Sequence, residues 1–176
     1  MSKKRKIVSR IVIVALFLIS LYFVEAGFCG SSVVAEYNNG FGTLDMKQYD
    51  VQSVFTALSP MNEEGLKVYK MYYGMDYLFV IFFGLLQVVV TLDIYRFSDN
   101  MILKRLFVAV PIFRGVCDIV ENTILLNTVN SFPSVNEIAI TVSSYFTQAK
   151  LISIRVWIGI VLLGLVWRLI RRIKRK

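Results

Sequence analysis

Three ionisable residues and one amide residue interrupt a largely apolar stretch between Val108 and Leu126. They are Arg114, Asp118, Glu121 and Asn122. Because a helix advances about 100° per residue, Arg114, Asp118 and Glu121 fall in one stripe, with Asn122 at its edge. Ionisable groups inside a bilayer cost at least ~2.5–3.5 kcal/mol each unless they are paired. The stripe is therefore expected to face the interior of a helix bundle and to mark a functional site.

The chemistry of this stripe depends on two carboxyl groups lying one helical turn apart. Asp118 and Glu121 repel each other when both are ionised, so one of them is expected to hold a proton more tightly and could donate or accept it. Arg114 is four residues before Asp118, which is the spacing of an ion pair on a helix. These residue types therefore allow either helix-to-helix pairing or proton transfer.

The composition indicates an integral membrane protein of one small domain, whose first partner is the lipid bilayer. Of its 176 residues, 56% are hydrophobic and 18% are charged, with a mean hydropathy of +0.62. Soluble domains carry about 25% charged residues. The absence of histidine excludes acid–base catalysis by histidine and haem or zinc ligation by histidine. No metal site and no cofactor is predicted.

The apolar runs predict an all-α fold, a four-helix transmembrane bundle. The first run also fits a cleavable signal peptide, since a basic segment precedes it and Val24, Glu25 and Ala26 end it. Whether that span is retained is left open. The predicted spans are about residues 7–28, 71–94, 106–126 and 145–167.

The basic residues predict the orientation. Of the 20 Lys and Arg residues, 14 lie in the first ten residues, in the loop between the second and third spans, and in the tail 168–176. Their excess on one side places both termini in the cytoplasm and the protein in the plasma membrane. Because they cluster at span ends, no nucleic-acid partner is predicted. Cys29 is then expected outside, within reach of an impermeant thiol reagent.

The outer segment 29–70 is the longest polar part of the chain. Val51, Val54 and Leu58 follow Asp50 at helical spacing, which predicts a short amphipathic extracytoplasmic helix with Asp50 as its N-cap. The segment could be a solvated loop with a surface helix, or a lid over the outer face of the bundle. The sequence leaves both open.

Charged residues of the second and fourth spans complete the set inside the membrane. Three acids and three bases balance, which predicts a packed network in which few charges are left unpaired. Lys150 and Arg155 are about 140° apart on a helix, so they cannot both point straight inward. The acids are Asp76, Asp118 and Glu121, and the bases are Arg114, Lys150 and Arg155.

At these residues the chain resembles an uncharacterised family of small four-span membrane proteins that is common in bacteria. The family pattern has a Glu-Gly, a Tyr and an Asp around the start of the second span, then Gly/Ala-x-x-Asp-x-x-Glu-Asn, then Thr-x-x-Lys in the fourth span. The resemblance implies the fold and a polar cluster, and it favours Lys150 as the inward-facing base. The matching residues are Glu64, Gly65, Tyr69, Asp76, Gly115, Asp118, Glu121, Asn122, Thr147 and Lys150.

The most direct interpretation is a charged site open to the outer leaflet that binds, and could translocate or sense, a small amphipathic or lipid-like ligand. Tyrosines near the start of the second span are typical of an aromatic belt, and some could receive the apolar part of the ligand. The polar lining is Asp76, Arg114, Asp118, Glu121, Asn122 and Lys150, and the apolar lining is Tyr72, Tyr73, Tyr77 and Phe83.

Two other functions stay open. A structural or assembly protein would pair these charges within the bundle, with the spans of a partner membrane protein, or in a homo-oligomer. An intramembrane acid–base enzyme would use Asp118 and Glu121 together with Lys150.

Overall fold

The computed structural model describes residues 3–173, and within that range the chain forms six α-helices and no strand. The all-α prediction is therefore confirmed. Met1, Ser2 and the last three residues of the predicted tail, Lys174, Arg175 and Lys176, lie outside the described residues. The helices are α1 (Lys3–Glu25), α2 (Ser31–Tyr37), α3 (Val51–Leu58), α4 (Glu63–Ile94), α5 (Met101–Ser131) and α6 (Glu137–Ile173).

Among the described residues, three helices are long and apolar enough to cross a membrane: α1, α4 and α6. The sequence predicted four such helices. The helix that falls short is α5, because Arg114, Asp118 and Glu121 interrupt its apolar run. Large apolar side chains on the outward faces of the long helices are exposed, for example Leu85 and Leu163. Exposed apolar faces of this extent indicate a lipid bilayer around the protein.

The long helices pack around α4. Helix α4 contacts α1, α5 and α6, and α5 contacts α6, so α4, α5 and α6 form a three-helix core with α1 on its flank. Phe17 of α1 packs against Phe79 and Phe83 of α4, with ring centroids 6.0 and 5.4 Å apart. Arg10 and Asp93 form an ion pair between the same two helices.

Residues 26–62 lie across one end of the bundle, which we call the covered end. Helix α2 packs against α4, and α3 packs against α6. The sequence did not predict α2. Leu44 and Tyr49 are buried in the turn-rich stretch between these two helices, residues 38–50, which we call the cover segment. Cys29 is also fully buried, so the expectation that it is open to a thiol reagent is wrong.

We call the opposite end of the bundle, where α6 ends, the basic end. There Tyr95, in the turn after α4, contacts both α5 and α6. The Tyr95 hydroxyl donates a hydrogen bond of 2.7 Å to the carbonyl of Ile160. Its ring packs on Phe107, at 4.7 Å between centroids, and stacks on Trp167 at 6.1 Å. Gly164 allows this approach, because a Cβ atom there would lie 2.8 Å from the Tyr95 ring.

Candidate functional site

Lys150 lies at the centre of a set of buried charges between α4, α5, α6 and the cover segment. Its Nζ atom is 2.9 Å from Asp118 Oδ1, 2.8 Å from Glu121 Oε2 and 3.9 Å from Asp45 Oδ2. Only 3% of Lys150 is exposed. An ammonium group on a long side chain can satisfy several carboxylates at once because it carries three donors. We call the following residues the charged cluster: Asp45, Asp76, Arg114, Asp118, Glu121, Asn122 and Lys150.

Arg114 is the member of the cluster that lies on the side toward the basic end. Its Nη2 atom is 3.3 Å from Asp118 Oδ2 and donates to the carbonyl of Val80, also at 3.3 Å. The guanidinium lies over the ring of Phe83, 4.6 Å from its centroid, where the ring face attracts a cation. Asp118 thus lies between two bases, with one oxygen toward Lys150 and the other toward Arg114.

Asp76 and Asn122 join α4 to α5. Asn122 Nδ2 donates to Asp76 Oδ2 at 2.6 Å, and both residues are buried. The inward-facing stripe on α5 therefore contacts a carboxylate of the preceding long helix, as the sequence predicted for Asp76 and Asn122. This bond fixes the amide orientation of Asn122, whose oxygen is then aimed elsewhere.

Hydroxyl groups surround Glu121 on the side toward the covered end. Thr147 Oγ1 donates to Glu121 Oε1 at 2.6 Å, and the Tyr49 hydroxyl donates to Ser143 Oγ at 2.7 Å. Burial, and then the nearby Glu121 carboxylate, raise the pKa of Tyr49, which belongs to the cover segment. Tyr49 therefore stays neutral at physiological pH and keeps its hydrogen for donation.

Asp45 is the member of the cluster that the sequence analysis missed. It lies in the cover segment, is 3% exposed, and accepts a 2.9 Å hydrogen bond from the Tyr72 hydroxyl. Beside it, the backbone N–H of Leu44 donates to the Tyr69 hydroxyl at 3.0 Å. The only signal in the sequence was an acid in a turn between apolar residues, which is common in solvated loops and does not distinguish a buried carboxylate.

The predicted balance of three acids and three bases is wrong. Within residues 3–173 the buried acids number four and the buried bases two, and Arg155 is exposed on α6. Lys150 is therefore the inward-facing base, as the family resemblance favours. The buried acids are Asp45, Asp76, Asp118 and Glu121, and the buried bases are Arg114 and Lys150.

Three of the four residues predicted as apolar lining lie near the charged cluster, and the fourth, Tyr77, does not. Tyr72 and Phe83 contact cluster members directly, and Tyr73 stacks in the same core on Tyr69, with centroids 5.0 Å apart. Tyr77 instead makes a 2.8 Å hydrogen bond to Thr123, outside the cluster. The aromatic belt predicted at the start of the second span comprised Tyr69, Tyr72, Tyr73 and Tyr77, and the prediction is wrong for the first three because they are buried.

Four side-chain atoms of the cluster are buried without a hydrogen-bond partner in the described part of the chain: Oδ1 of Asp45, Oδ1 of Asn122, Oε2 of Glu121 and Nε of Arg114. Of these, Glu121 Oε2 has the Lys150 ammonium 2.8 Å away as an ion-pair partner. Leaving such an atom unpaired costs about 1–3 kcal/mol. The Asp45 and Asn122 oxygens can each accept a hydrogen bond from a ligand, and the Nε–H of Arg114 can donate one.

The members of the charged cluster are buried in this structure. Four surface grooves of residues 3–173 have linings that include none of them. In the same residues, no group of three or more His, Cys, Asp or Glu side chains is arranged to hold a metal ion. The carboxylates Asp45, Asp118 and Glu121 surround Lys150 instead.

Comparisons with known proteins do not extend this description. No protein family model matches the chain. No curated protein and no solved structure matches it either.

Proposed function

We propose that α5 is a fourth membrane span and that both termini lie on the cytoplasmic side of the plasma membrane. Helix α5 has 31 residues, about 46 Å at 1.5 Å per residue, which exceeds the ~30 Å hydrocarbon core. It packs between two helices that are apolar enough to span. Arg114, Asp118 and Glu121 are buried, while Ile112, Phe113 and Val116 on the outward face of the helix are exposed. Charges hidden from lipid in this way do not prevent α5 from spanning.

We further propose that the charged cluster is a binding site for a small amphipathic ligand with a positively charged group. One observation carries this proposal: four buried carboxyl groups accompany two buried bases in the described residues. A buried charge is costly unless an opposite charge compensates it. A ligand cation would reduce the excess of acid and so bind more tightly than a neutral or anionic molecule of the same size.

The unpaired acceptors support the same class of ligand. Oδ1 of Asp45 and Oδ1 of Asn122, which lack partners within residues 3–173, can accept hydrogen bonds but cannot donate them. A primary amine supplies a positive charge and three donors. The aromatic side chains of Tyr72, Tyr73 and Phe83 would receive the apolar part of the molecule.

Entry of the ligand requires the cover segment to move. Asp45 is held by the Tyr72 hydroxyl at 2.9 Å and by Lys150 at 3.9 Å, so displacing two side-chain contacts frees its carboxylate. Movement of the segment on binding would serve either passage or sensing of the ligand.

The test measures thermal unfolding of the purified protein in lipid nanodiscs with hexylamine, hexanol or hexanoate. A molecule that binds the folded state raises the unfolding temperature. We expect hexylamine to raise it and the other two to leave it unchanged. Asp45→Asn should weaken the response to hexylamine, and Glu137→Gln, which neutralises an exposed acid on α6, should retain it. Equal responses to all three molecules would contradict the proposal.

A second candidate is a structural role, favoured by the contacts of Lys150 with acids on both α5 and the cover segment. The two candidates predict opposite effects of Asp45→Asn without ligand. If the acids are in excess, removing one charge leaves the unfolding temperature unchanged or raises it. If the cluster exists to hold the fold together, the same change lowers the unfolding temperature and hexylamine has no effect on either protein.

A further inference from the structure

A groove at the basic end has a lining unlike that of the rest of the surface. It has a volume of about 280 Å³ and is lined by two aromatic residues and three arginines of α6 and the α4–α5 turn. The charged cluster lies elsewhere in the bundle and contributes no residue to it. The lining residues are Phe97, Trp167, Arg168, Arg171 and Arg172.

Helix periodicity and the turn after α4 together assemble this groove. Arg168, Arg171 and Arg172 share one face of α6, since they are three and four residues apart. Arg171 donates to the carbonyl of Phe97 at 2.9 Å, and its guanidinium lies 4.6 Å from the Trp167 ring centroid. One guanidinium is thus fixed against the wall of the groove.

The three arginines keep their positive charge available. Within residues 3–173, no ion pair joins Arg168, Arg171 or Arg172 to a carboxylate. A groove with three guanidinium groups favours an anion, and the planar fork of donors suits the oxygens of a phosphate.

The surface next to the groove indicates what carries the phosphate. Leu165, one turn before Arg168 on the same face of α6, is 47% exposed, and Leu162 is 58% exposed. These side chains face the bilayer, whereas a soluble anion or a nucleic acid has no apolar part to place against them. Trp167 lies at the change from apolar to basic residues, where aromatic side chains meet lipid headgroups.

We propose that this groove binds the headgroup of an anionic phospholipid, with the phosphate at Arg168, Arg171 and Arg172 and the acyl chains along the apolar face of α6. This goes beyond the general attraction of a basic tail to acidic membranes, because it assigns a defined site. It is independent of the function proposed for the charged cluster.

Native mass spectrometry of the full chain with dioleoylphosphatidylglycerol and dioleoylphosphatidylcholine tests the proposal. We expect preferential retention of phosphatidylglycerol, and a loss of about fivefold in its affinity for each arginine removed in Arg168→Gln/Arg172→Gln. Lys104→Gln/Arg105→Gln is the matched control, since it removes two charges from the start of α5, outside the groove. Equal losses in the two double variants would overturn the proposal.

A second measurement locates the lipid. In a Trp157→Phe variant, Trp167 is the remaining tryptophan, and brominated phosphatidylglycerol should quench its fluorescence more than brominated phosphatidylcholine does. Equal quenching by the two lipids would overturn the proposal. So would displacement of phosphatidylglycerol by millimolar inorganic phosphate or by a short oligonucleotide, because the groove would then prefer a soluble anion.

Discussion

The ammonium group of Lys150 lies 2.8 Å from a carboxylate oxygen of Glu121, which ties α6 to α5 in the interior of the bundle. Replacing Lys150 by Met leaves four buried acids with one buried base among the described residues. Removing one partner of a buried ion pair typically costs about 3–5 kcal/mol. We expect Lys150→Met to lower the free energy of unfolding by that order, measured by denaturant titration in detergent micelles.

Arg155→Met is the control for this prediction. Arg155 is on the same helix and carries the same charge, but it is exposed. We expect its replacement to change the free energy of unfolding little. If both variants unfold at the same denaturant concentration, the ion pairs of Lys150 do not stabilise the fold.

Gly164 is predicted to be intolerant of any side chain. A Cβ atom at this position would meet Ile94 and the Tyr95 ring, both of which have stiff or bulky side chains. Overpacking typically costs about 1–3 kcal/mol. Gly164→Ala should therefore lower the thermal unfolding temperature, whereas Gly159→Ala on the same helix should not, because no atom lies within 4 Å of its Cβ position. An equal decrease in the two variants would show that helix propensity or lipid contact, and not this packing, is responsible.

Asp50 provides a prediction for pH. It caps α3 and accepts hydrogen bonds from the side chain and backbone N–H of Ser53, which lower its pKa. A lowered folded-state pKa contributes stability that is present above the unfolded pKa and is lost as pH falls through the folded one. Ser53→Ala removes the larger cause, so the folded-state pKa of Asp50 should rise toward its unfolded value, the stabilising contribution should shrink, and its loss should be complete at a higher pH.

The measurement for Asp50 is a titration of aspartate carboxyl ¹³C shifts in micelles. Thr56→Ala is a suitable control, since Thr56 bonds to the carbonyl of Gln52 in the same helix and not to Asp50. An Asp50 titration midpoint unaffected by Ser53→Ala would contradict the prediction.

The proposed orientation is testable with cysteines placed at exposed positions. Cys29 and Cys117 are buried, and burial raises the pKa of the Cys29 thiol, so neither native residue is a suitable probe. In a background lacking both, Met46→Cys should react with an impermeant maleimide in intact cells, because Met46 is 65% exposed in the cover segment. Asp99→Cys, in the α4–α5 turn, should react only after lysis. The reverse pattern would refute the orientation.

The sequence predicted the helical fold and the inward stripe of α5 because both depend on local periodicity. Charged residues three and four apart in an apolar run leave few alternatives to a buried face. Asp76 and Lys150 followed from the same reasoning, since each is a charge in an apolar helix. These are the residues that contact Asn122 and Asp118 in the structure.

Residues whose environment depends on contacts distant in sequence could not be predicted in this way. Asp45 is buried because Tyr72 and Lys150 reach it across the fold, and nothing in its own neighbourhood indicates that. Tyr69 and Tyr73 are tyrosines at the start of an apolar helix, which is where residues of a membrane-interface belt occur. Both are nevertheless buried, at the end of the bundle that residues 26–62 cover. The assumption that buried acids and bases are equal in number wrongly placed Arg155 in the interior. Counting charges does not identify which face of a helix is turned outward.

The position of Asp45 in the chain has a consequence for biogenesis. The ribosome delivers this carboxylate before α4 and α6, the helices that carry Tyr72 and Lys150. Asp45 therefore lacks its cationic partner, Lys150, until the last helix has inserted. Closure of that end is then a late event in assembly, and a chain that stalls before α6 leaves the Asp45 carboxylate without its cation.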